Sequence, residues 1–134
     1  MSANSLNVII TGGGGRIAYS LIPLICDGSI FGLNTYINLK LLDIPAVIKK
    51  MDGIKMEIED SNFQLLSSIE ITSSNEVAFR DSDVVILLGG YPRLPGMERK
   101  DLIQKNVEII KDHALAINNY SKKFVNLKFQ FDKI

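Results

Sequence analysis

Residues 7–20 read NVIITGGGGRIAYS, and this stretch decides the fold of the chain. A short apolar run, Val8 to Ile10, ends in four consecutive glycines, and a segment with apolar residues at helical spacing follows. The pattern predicts a buried strand, a tight turn and a helix. A turn of this kind directs backbone N–H groups and the positive end of a helix dipole at one point. Phosphate is the anion that suits such a point best.

Short apolar strands alternate with amphipathic helices over the rest of the chain. The apolar runs predict strands at residues 6–10, 37–42, 69–72 and 84–88, with a last candidate at 124–131. Helical spacing predicts helices at residues 16–25, 45–58, 73–79 and 99–119. Ser73, with Glu76 three residues later, predicts a capping box for the third helix. We therefore expect an α/β fold, a Rossmann-type doubly wound parallel sheet of about five strands, with ligands at its carboxyl edge.

Composition and charge exclude several classes of protein. The 134 residues fit one domain, and 15 basic residues balance 15 acidic ones, so we expect no nucleic-acid partner. The apolar runs are too short to cross a bilayer, and the first residues lack a secretory signal, so we expect no membrane partner. The single cysteine, Cys26, cannot form an internal disulfide. We therefore expect a cytoplasmic protein.

Three small residues, Gly12, Gly15 and Ala18, stand where a tight turn, close phosphate approach and helix–strand packing need them. Glycine runs also occur in turns that bind nothing. The interpretation as a nucleotide-binding turn therefore rests on the position of these glycines between a buried strand and a helix. Asp43 follows the second predicted strand, where a carboxylate can hold the adenosine ribose of NAD and repel the 2′-phosphate of NADP. Its alternative role is to cap the next helix. We expect a dinucleotide's diphosphate over unpaired backbone amides between residues 11 and 16.

A second group of residues follows the predicted strand at residues 84–88. The loop PRLPGMER, residues 92–99, carries Arg93 and Arg99. Guanidinium groups bind carboxylates through two parallel hydrogen bonds, which suits the recognition of planar acids. Two arginines on a surface loop are more often merely solvated, but this loop follows a buried strand at the edge where ligands bind. We therefore interpret both arginines as binding an acidic substrate.

These motifs resemble the malate dehydrogenases, most closely their cytosolic NAD-dependent branch. The resemblance rests on TGGGGRIAYSL at residues 11–21, LLD at 41–43, GMERKDL at 96–102 and Asn106. It covers roughly residues 7–123 and implies the NAD-binding domain of such an enzyme without its substrate domain. It also implies NAD as the cofactor, malate and oxaloacetate as substrates, and a homodimer through the helix face that carries Val47, Met51 and Ile54.

The resemblance further implies roles for individual residues. The implied cofactor-binding residues are Gly12, Gly15, Arg16, Ile17, Ala18, Asp43, Gly89 and Asn106. Among them, the small residues of the glycine turn would contact the pyrophosphate, and Asp43 would contact the adenosine ribose. Arg93 would bind the distal carboxylate of oxaloacetate or malate, and Arg99 would polarise the carbonyl group. No catalytic residue and no metal-binding residue is implied.

The sequence departs from the family in two respects. The family's catalytic histidine, its aspartate partner and a further substrate-binding arginine lie beyond the matching part, so we expect a truncated chain that is inactive alone. The only histidine, His113, falls in the middle of the last predicted helix, and we expect it on a helix face far from the site. The second departure is the tail, residues 124–134, which alternates apolar and polar residues from Val125 onward. We therefore divide the chain into residues 1–123 and an atypical tail, either a strand with one uncovered face or foreign sequence.

Two other functions compete with this interpretation. One is a non-catalytic remnant that keeps the fold and pairs with full-length subunits. The other is a sugar epimerase or short-chain reductase, since these enzymes share the motif Thr-Gly-Gly-x-Gly. That class needs Tyr-x-x-x-Lys, and Phe124 stands four residues after Tyr120. We therefore discount the reductase alternative.

Overall fold

The computed structural model describes residues 4–129, which form a parallel five-stranded sheet with helices on both faces. The strands are β1 (Asn4–Thr11), β2 (Thr35–Leu42), β3 (Leu66–Thr72), β4 (Val84–Leu87) and β5 (Asn126–Phe129). The helices are α1 (Arg16–Cys26), α2 (Ile48–Asp60), α3 (Asn75–Phe79) and α4 (Arg99–Tyr120), and a 3₁₀ turn spans Pro45–Val47. The order across the sheet is β3-β2-β1-β4-β5. The predicted Rossmann-type α/β fold is therefore confirmed.

The strand β1 lies at the centre of the sheet, where the direction of chain growth reverses. It pairs in parallel with β2 on one side and with β4 on the other, so Thr11 stands beside both Leu42 and Leu87. The chain first grows outward from β1 to β3 and then returns across the sheet to β4 and β5. The segments that follow β1 and β4 therefore diverge to opposite faces and leave a crevice between them.

Alternate side chains of the central strands fill two separate cores. Val8 and Ile10 of β1 pack on one face of the sheet with buried residues of α1 and α2. Ile9 of β1 packs on the other face with Phe79 of α3 and Ile117 of α4. Because both faces are covered, the central strands need the continuous apolar runs that predicted them.

Most predicted elements are present with shifted boundaries. The strand β2 begins at Thr35 and β3 begins at Leu66, both earlier than their apolar runs suggested. Their first residues join the sheet through backbone pairing with the neighbouring strand, which does not require apolar side chains. Thr35 in β2 and Ser67 and Ser68 in β3 are polar, so these strand ends lie outside a continuous apolar run in the sequence.

The cap of the short helix α3 differs from the prediction by one residue. Ser74, not Ser73, is the N-cap, and its Oγ accepts a hydrogen bond from Val77 N over 3.4 Å. Glu76 forms an ion pair with Arg80 one turn later and does not complete a capping box with Ser73. The predicted capping box at Ser73 is therefore wrong.

The helix face expected to form a dimer contact is mostly buried in the chain's own core. Met51 and Ile54 of α2 are 0% and 7% exposed and pack against the sheet. Val47 is partly buried against the same core. These residues are therefore not available for a subunit contact, and the large outward-facing apolar side chain of α2 is Met56, which is 65% exposed.

The strand β5 adds to the sheet beside β4 and pairs with it in parallel. Phe124, which the prediction placed in this strand, precedes it and is 86% exposed. Leu127 on the strand is exposed as well. The described part of the tail thus forms a short strand with uncovered apolar groups, and the predicted strand residues 130–131 lie outside the described residues.

Membrane-spanning and metal-binding features are not found within residues 4–129. No helix there is both long and apolar enough to cross a membrane, and no three His, Cys, Asp or Glu side chains are grouped as metal ligands. Cys26 is buried in the core, and burial raises the pKa of its thiol to about 11. A protonated, covered thiol acts as a packing residue and not as a nucleophile.

The variant Leu39→Ala tests the core between the sheet and the pair α1 and α2. Leu39 on β2 is fully buried, so truncation leaves a cavity, and we expect the free energy of unfolding to fall by about 2–5 kcal/mol. Urea denaturation followed by circular dichroism measures the change. Leu115→Ala is the matched control, because Leu115 on α4 is 64% exposed, and we expect a change within about 0.5 kcal/mol. Equal losses in the two variants would contradict the buried position of Leu39.

Candidate functional site

A cavity of about 710 Å³ lies at the carboxyl ends of β1, β2 and β4. Its volume is in the range of pockets that hold small molecules and cofactors. Of the residues predicted to bind cofactor or substrate, those that line it are Gly12, Gly15, Asp43, Gly89, Arg93 and Asn106. Those that do not line it are Arg16, Ile17, Ala18 and Arg99. The predicted crevice at this edge of the sheet is therefore present.

Gly12 and Gly89 bring the ends of β1 and β4 into close contact below the cavity. Gly12 has a φ of +66°, and a Cβ atom there would lie 2.8 Å from the Cα of Gly89. A Cβ atom on Gly89 would in turn lie 3.0 Å from the amide nitrogen of Gly12. Only glycine fits at Gly12 without strain, because a side chain would clash with backbone that cannot move aside.

The amides of the glycine turn are used inside the protein. Gly13 N donates to the carbonyl oxygen of Leu42, at the end of β2, over 3.1 Å. Gly15 N donates to the carbonyl oxygen of Gly12, within the turn, over 2.9 Å. Gly14 N donates to the carboxylate of Asp43 over 3.0 Å. The expectation of unpaired amides between residues 11 and 16 is therefore wrong for these three glycines. The turn is a fixed support that is tied to β2.

Free donors lie in the first turn of α1. Gly15 is the N-cap of this helix and offers no side-chain oxygen, and no described residue accepts a hydrogen bond from the amides of Arg16 and Ile17. The first turn of α1 also holds no acidic residue that would offset the positive end of the helix dipole. Ala18 is buried, and its small side chain lets α1 pack closely on the sheet.

Asp43 is held in place by two backbone amides. Its Oδ2 accepts from Gly14 N over 3.0 Å, and its Oδ1 accepts from Ile44 N over 2.8 Å. The N-cap of the following 3₁₀ turn is Ile44, so Asp43 does not take the alternative role of a cap. Each carboxylate oxygen keeps a further lone pair, and the side chain lines the cavity. Asp43 is therefore oriented in advance and can still accept hydrogen bonds from a ligand.

On the opposite wall, Asn106 of α4 holds the loop that follows β4. Its Oδ1 accepts from Tyr91 N over 2.7 Å, and a Cβ on Gly90 would lie 3.3 Å from the same oxygen. The ammonium group of Lys105 lies over the Tyr91 ring, 5.7 Å from the ring centroid. Because the carbonyl oxygen of Asn106 is engaged, the side chain can offer its N–H donors to a ligand in the cavity.

The two predicted substrate arginines stand near the two ends of an exposed loop. Arg93 lines the cavity, whereas Arg99 is the first residue of α4 and lies outside the lining. The helix begins there because Glu98 and Asp101 form a capping box. Within residues 4–129, neither arginine takes part in an ion pair. Both guanidinium groups are therefore free to bind an anion.

The sequence interpretation misplaced a residue of the cavity wall, His113. We expected it far from the site, but it lines the cavity and packs edge-on against Phe79, with ring centroids 5.6 Å apart. Burial lowers the pKa of His113, and the nearby charge of Asp112 offsets this only in part. Helical spacing could have revealed it, since Asn106, Ile110 and His113 recur at intervals that place them on one face of α4.

The variant Gly12→Ala tests the close contact between β1 and β4. A positive φ and a clash with the Gly89 backbone both oppose the added methyl group, and we expect the free energy of unfolding to fall by about 2–4 kcal/mol. Gly53→Ala is the matched control: a Cβ there meets nothing within 4 Å, and in the helix α2 it should add about 0.5–1 kcal/mol of stability. Thermal and urea denaturation measure both. A neutral Gly12→Ala would contradict the contact.

The pH dependence of folding tests the burial of His113. The pKa of His113 in the folded chain is lowered from its ordinary value of 6.5, so below that value the unfolded chain takes up a proton that the folded chain resists. The free energy of unfolding should therefore fall as the pH drops from about 7.5 to about 5.5, and less so in His113→Gln. Urea denaturation at both pH values gives the comparison. Parallel changes in the two proteins would show that His113 is not buried.

Known proteins resemble this chain in sequence. The family described as lactate/malate dehydrogenase, NAD binding domain, matches residues 6–128. The cytoplasmic malate dehydrogenase of Rattus norvegicus is 45% identical over 122 residues, which cover 91% of this chain and 36% of the relative. This chain therefore spans a little over one third of the length of that relative.

Solved structures of known proteins share the fold of this chain. The malate dehydrogenase of Naegleria fowleri matches with a TM-score of 0.92 at 39% identity, over 96% of this chain and 40% of that chain. The lactate dehydrogenase of Trichomonas vaginalis, in complex with NADH and oxamate, matches with a TM-score of 0.85 at 33% identity, over 92% of this chain and 37% of that chain. Since the family match covers most of the sequence, this chain belongs to the lactate/malate dehydrogenase family and carries its NAD-binding domain.

Proposed function

We propose that this chain binds NAD as the cofactor-binding part of a malate dehydrogenase that interconverts malate and oxaloacetate. The observation that carries the proposal is the combination, beside a cavity lined by Gly15 and Asp43, of uncapped amides at the start of α1 and the anchored carboxylate of Asp43. The amides suit a diphosphate, and the carboxylate suits the hydroxyls of an adenosine ribose. When bound, NAD supplies the hydride acceptor for the oxidation of malate.

The diphosphate is assigned to the start of α1. Gly12 and Gly15 carry no side chains, so an anion can approach the backbone, and the amides of Arg16 and Ile17 are free to donate. The guanidinium group of Arg16 adds a positive charge at the same helix end. Ala18 supports this arrangement by packing and does not itself line the cavity.

The adenosine ribose is assigned to Asp43. Its two oxygens already accept one backbone amide each, which fixes the carboxylate plane before the cofactor arrives. The remaining lone pairs can accept the two ribose hydroxyls, and the negative charge repels a 2′-phosphate. We therefore assign a preference for NAD over NADP. Gly89 and Asn106 on the opposite wall would contact the rest of the cofactor, Gly89 by its backbone and Asn106 by its amide group.

The substrate is assigned to the two arginines. A fork of N–H donors on Arg93 suits a carboxylate of malate or oxaloacetate, and the charge of Arg99 suits the oxygen on which negative charge develops. Malate dehydrogenases among the relatives, from rat and from Naegleria fowleri, support a four-carbon diacid as the substrate class.

We also propose that this chain does not oxidise malate by itself. The reaction needs a group beside the substrate that takes up the hydroxyl proton. His113 is the only histidine in the sequence, and it lies on the same helix as Arg99. A rise of about 1.5 Å per residue separates the two by roughly 20 Å along the axis. His113 therefore cannot serve a substrate held by Arg99, and NADH production from malate and NAD by the pure chain would refute this proposal.

Cofactor selectivity tests the role of Asp43. We expect the unaltered chain to bind NADH at least about tenfold more tightly than NADPH, because the carboxylate repels the 2′-phosphate. In Asp43→Asn this ratio should approach one, although both affinities fall because an amide has a single acceptor oxygen. Asp52→Asn, an exposed carboxylate of α2, is the control that should keep the ratio. Isothermal titration calorimetry measures all constants, and no NADH binding at millimolar cofactor would remove the proposal.

Discrimination between acids tests the role of Arg93. We expect Arg93→Gln to weaken the binding of oxaloacetate to the NADH-loaded chain about tenfold or more, because a two-point contact with the distal carboxylate is lost. Pyruvate lacks that carboxylate, so its binding should not change. Quenching of NADH fluorescence measures both ligands, and Arg80→Gln, which removes a surface arginine paired with Glu76, is the control. Equal losses of affinity for oxaloacetate and pyruvate would argue against Arg93 as the residue that binds the second carboxylate.

A second candidate function is an interaction module that pairs with another subunit. Its support is the exposed apolar surface on the outer sides of α1 and α2, formed by Tyr19, Leu24 and Met56. Tyr19 Oη donates to Glu57 over 2.9 Å and links the two helices there. We propose a homodimer through this surface, located in the cytoplasm as the name of the rat relative states for that protein. Sedimentation of the pure chain, alone and with an intact homologue, tests it, and a lone monomer in both cases would remove it.

A further inference from the structure

Thr11 is a buried polar residue to which the proposed function gives no role. It ends β1 directly after an apolar run, and its exposed fraction is 0%. Its Oγ1 accepts hydrogen bonds from two backbone amides, Leu88 N and Gly89 N, each over 3.1 Å. One hydroxyl therefore binds two amides that lie 77 and 78 positions away in the sequence.

These two hydrogen bonds begin where the backbone pairing of the sheet ends. The last paired residues of β1 and β4 are Thr11 and Leu87, so Leu88 and Gly89 lie beyond the regular ladder. Partly buried amides need an acceptor, and the side chain of Thr11 provides it in place of a backbone carbonyl. The hydroxyl thus prolongs the connection between the two strands past their last paired residues.

The same contact sets the position of the cavity wall. Gly89 lies against Gly12, and a Cβ added to Gly89 would stand 3.4 Å from Oγ1 of Thr11. Neither glycine has a side chain that could hold the two backbone segments together. Thr11 and both glycines line the cavity, and the buried Thr11 hydroxyl acts at the floor of the site through the backbone amides that it holds.

We infer that Thr11 is a positioning residue of the NAD site, whose hydroxyl fixes the backbone at Leu88 and Gly89 against the glycine turn and so sets the width of the crevice. The inference rests on the proposed binding of NAD in the same cavity. A segment that is ordered before binding costs no further entropy when the cofactor arrives. Loss of the hydroxyl should therefore weaken cofactor binding specifically.

Three variants separate positioning from packing. Thr11→Val keeps the shape of the side chain but removes the acceptor, and Thr11→Ser keeps the acceptor. Thr35→Val is the matched control, because Thr35 is also buried but is the first residue of β2, at the end of the strand opposite the cavity. We expect Thr11→Val to bind NADH about tenfold more weakly, and Thr11→Ser and Thr35→Val to bind within about twofold of the unaltered chain.

Amide hydrogen exchange provides a readout that a general loss of stability would not reproduce. In the unaltered chain, the amides of Leu88 and Gly89 should exchange at least about tenfold more slowly than those of the exposed loop at residues 93–94. Thr11→Val should lose this protection at these two amides, and Thr11→Ser should keep it. If Thr11→Val does not fold, the exchange rates in the unaltered chain and in Thr11→Ser test the inference. Fast exchange of the Leu88 and Gly89 amides in both proteins would overturn it.

The outcomes distinguish this inference from the proposed function. NADH binding by folded Thr11→Val within about twofold of the unaltered chain overturns the role of Thr11 and leaves NAD binding intact. Failure of the unaltered chain to bind NADH overturns both. Weakened binding in Thr11→Val with rescue in Thr11→Ser supports the inference.

Discussion

The contact between Gly12 and Gly89 is the constraint on which the arrangement of the site depends. The parallel sheet places the carboxyl ends of β1 and β4 side by side, and the chain leaves these ends toward opposite faces. The two backbones meet below the cavity because neither residue has a Cβ atom. The start of α1 and the loop toward α4 both leave from this contact, so it fixes the positions of the candidate binding groups on the two walls relative to each other.

Hydrogen bonds divide the site into a fixed support and a free binding end. The glycine turn uses the amides of residues 13–15 inside the protein, and Asp43 binds one of them. Free donors are found at the first turn of α1, where Gly15 offers no side-chain cap. Asp43 therefore belongs both to the support and to the binding end, so under the proposed function the selectivity for the cofactor and the order of the turn would depend on the same carboxylate.

The helix α4 connects the two chemical tasks assigned to the chain. Its first residue is Arg99, placed by the capping box of Glu98 and Asp101, and one of its faces presents Asn106 and His113 to the cavity. A helix keeps such groups at set distances along its axis. The arginine at one end is thus separated from the groups along the face, so under the proposed function the substrate and the dinucleotide would contact different parts of one rigid helix.

The sequence by itself determined the α/β class, the order of the elements and six of the residues that line the cavity, because apolar periodicity and the strand–glycine–helix pattern are local. Only the tertiary structure decided which amides of the glycine turn are free, that Ser74 caps α3, that Met51 and Ile54 face the core, and that His113 reaches the cavity wall. Each of these depends on which distant groups meet across the fold. The hydroxyl of Thr11 shows the physical reason most clearly, since its two partners lie 77 and 78 positions away and no local pattern identifies them.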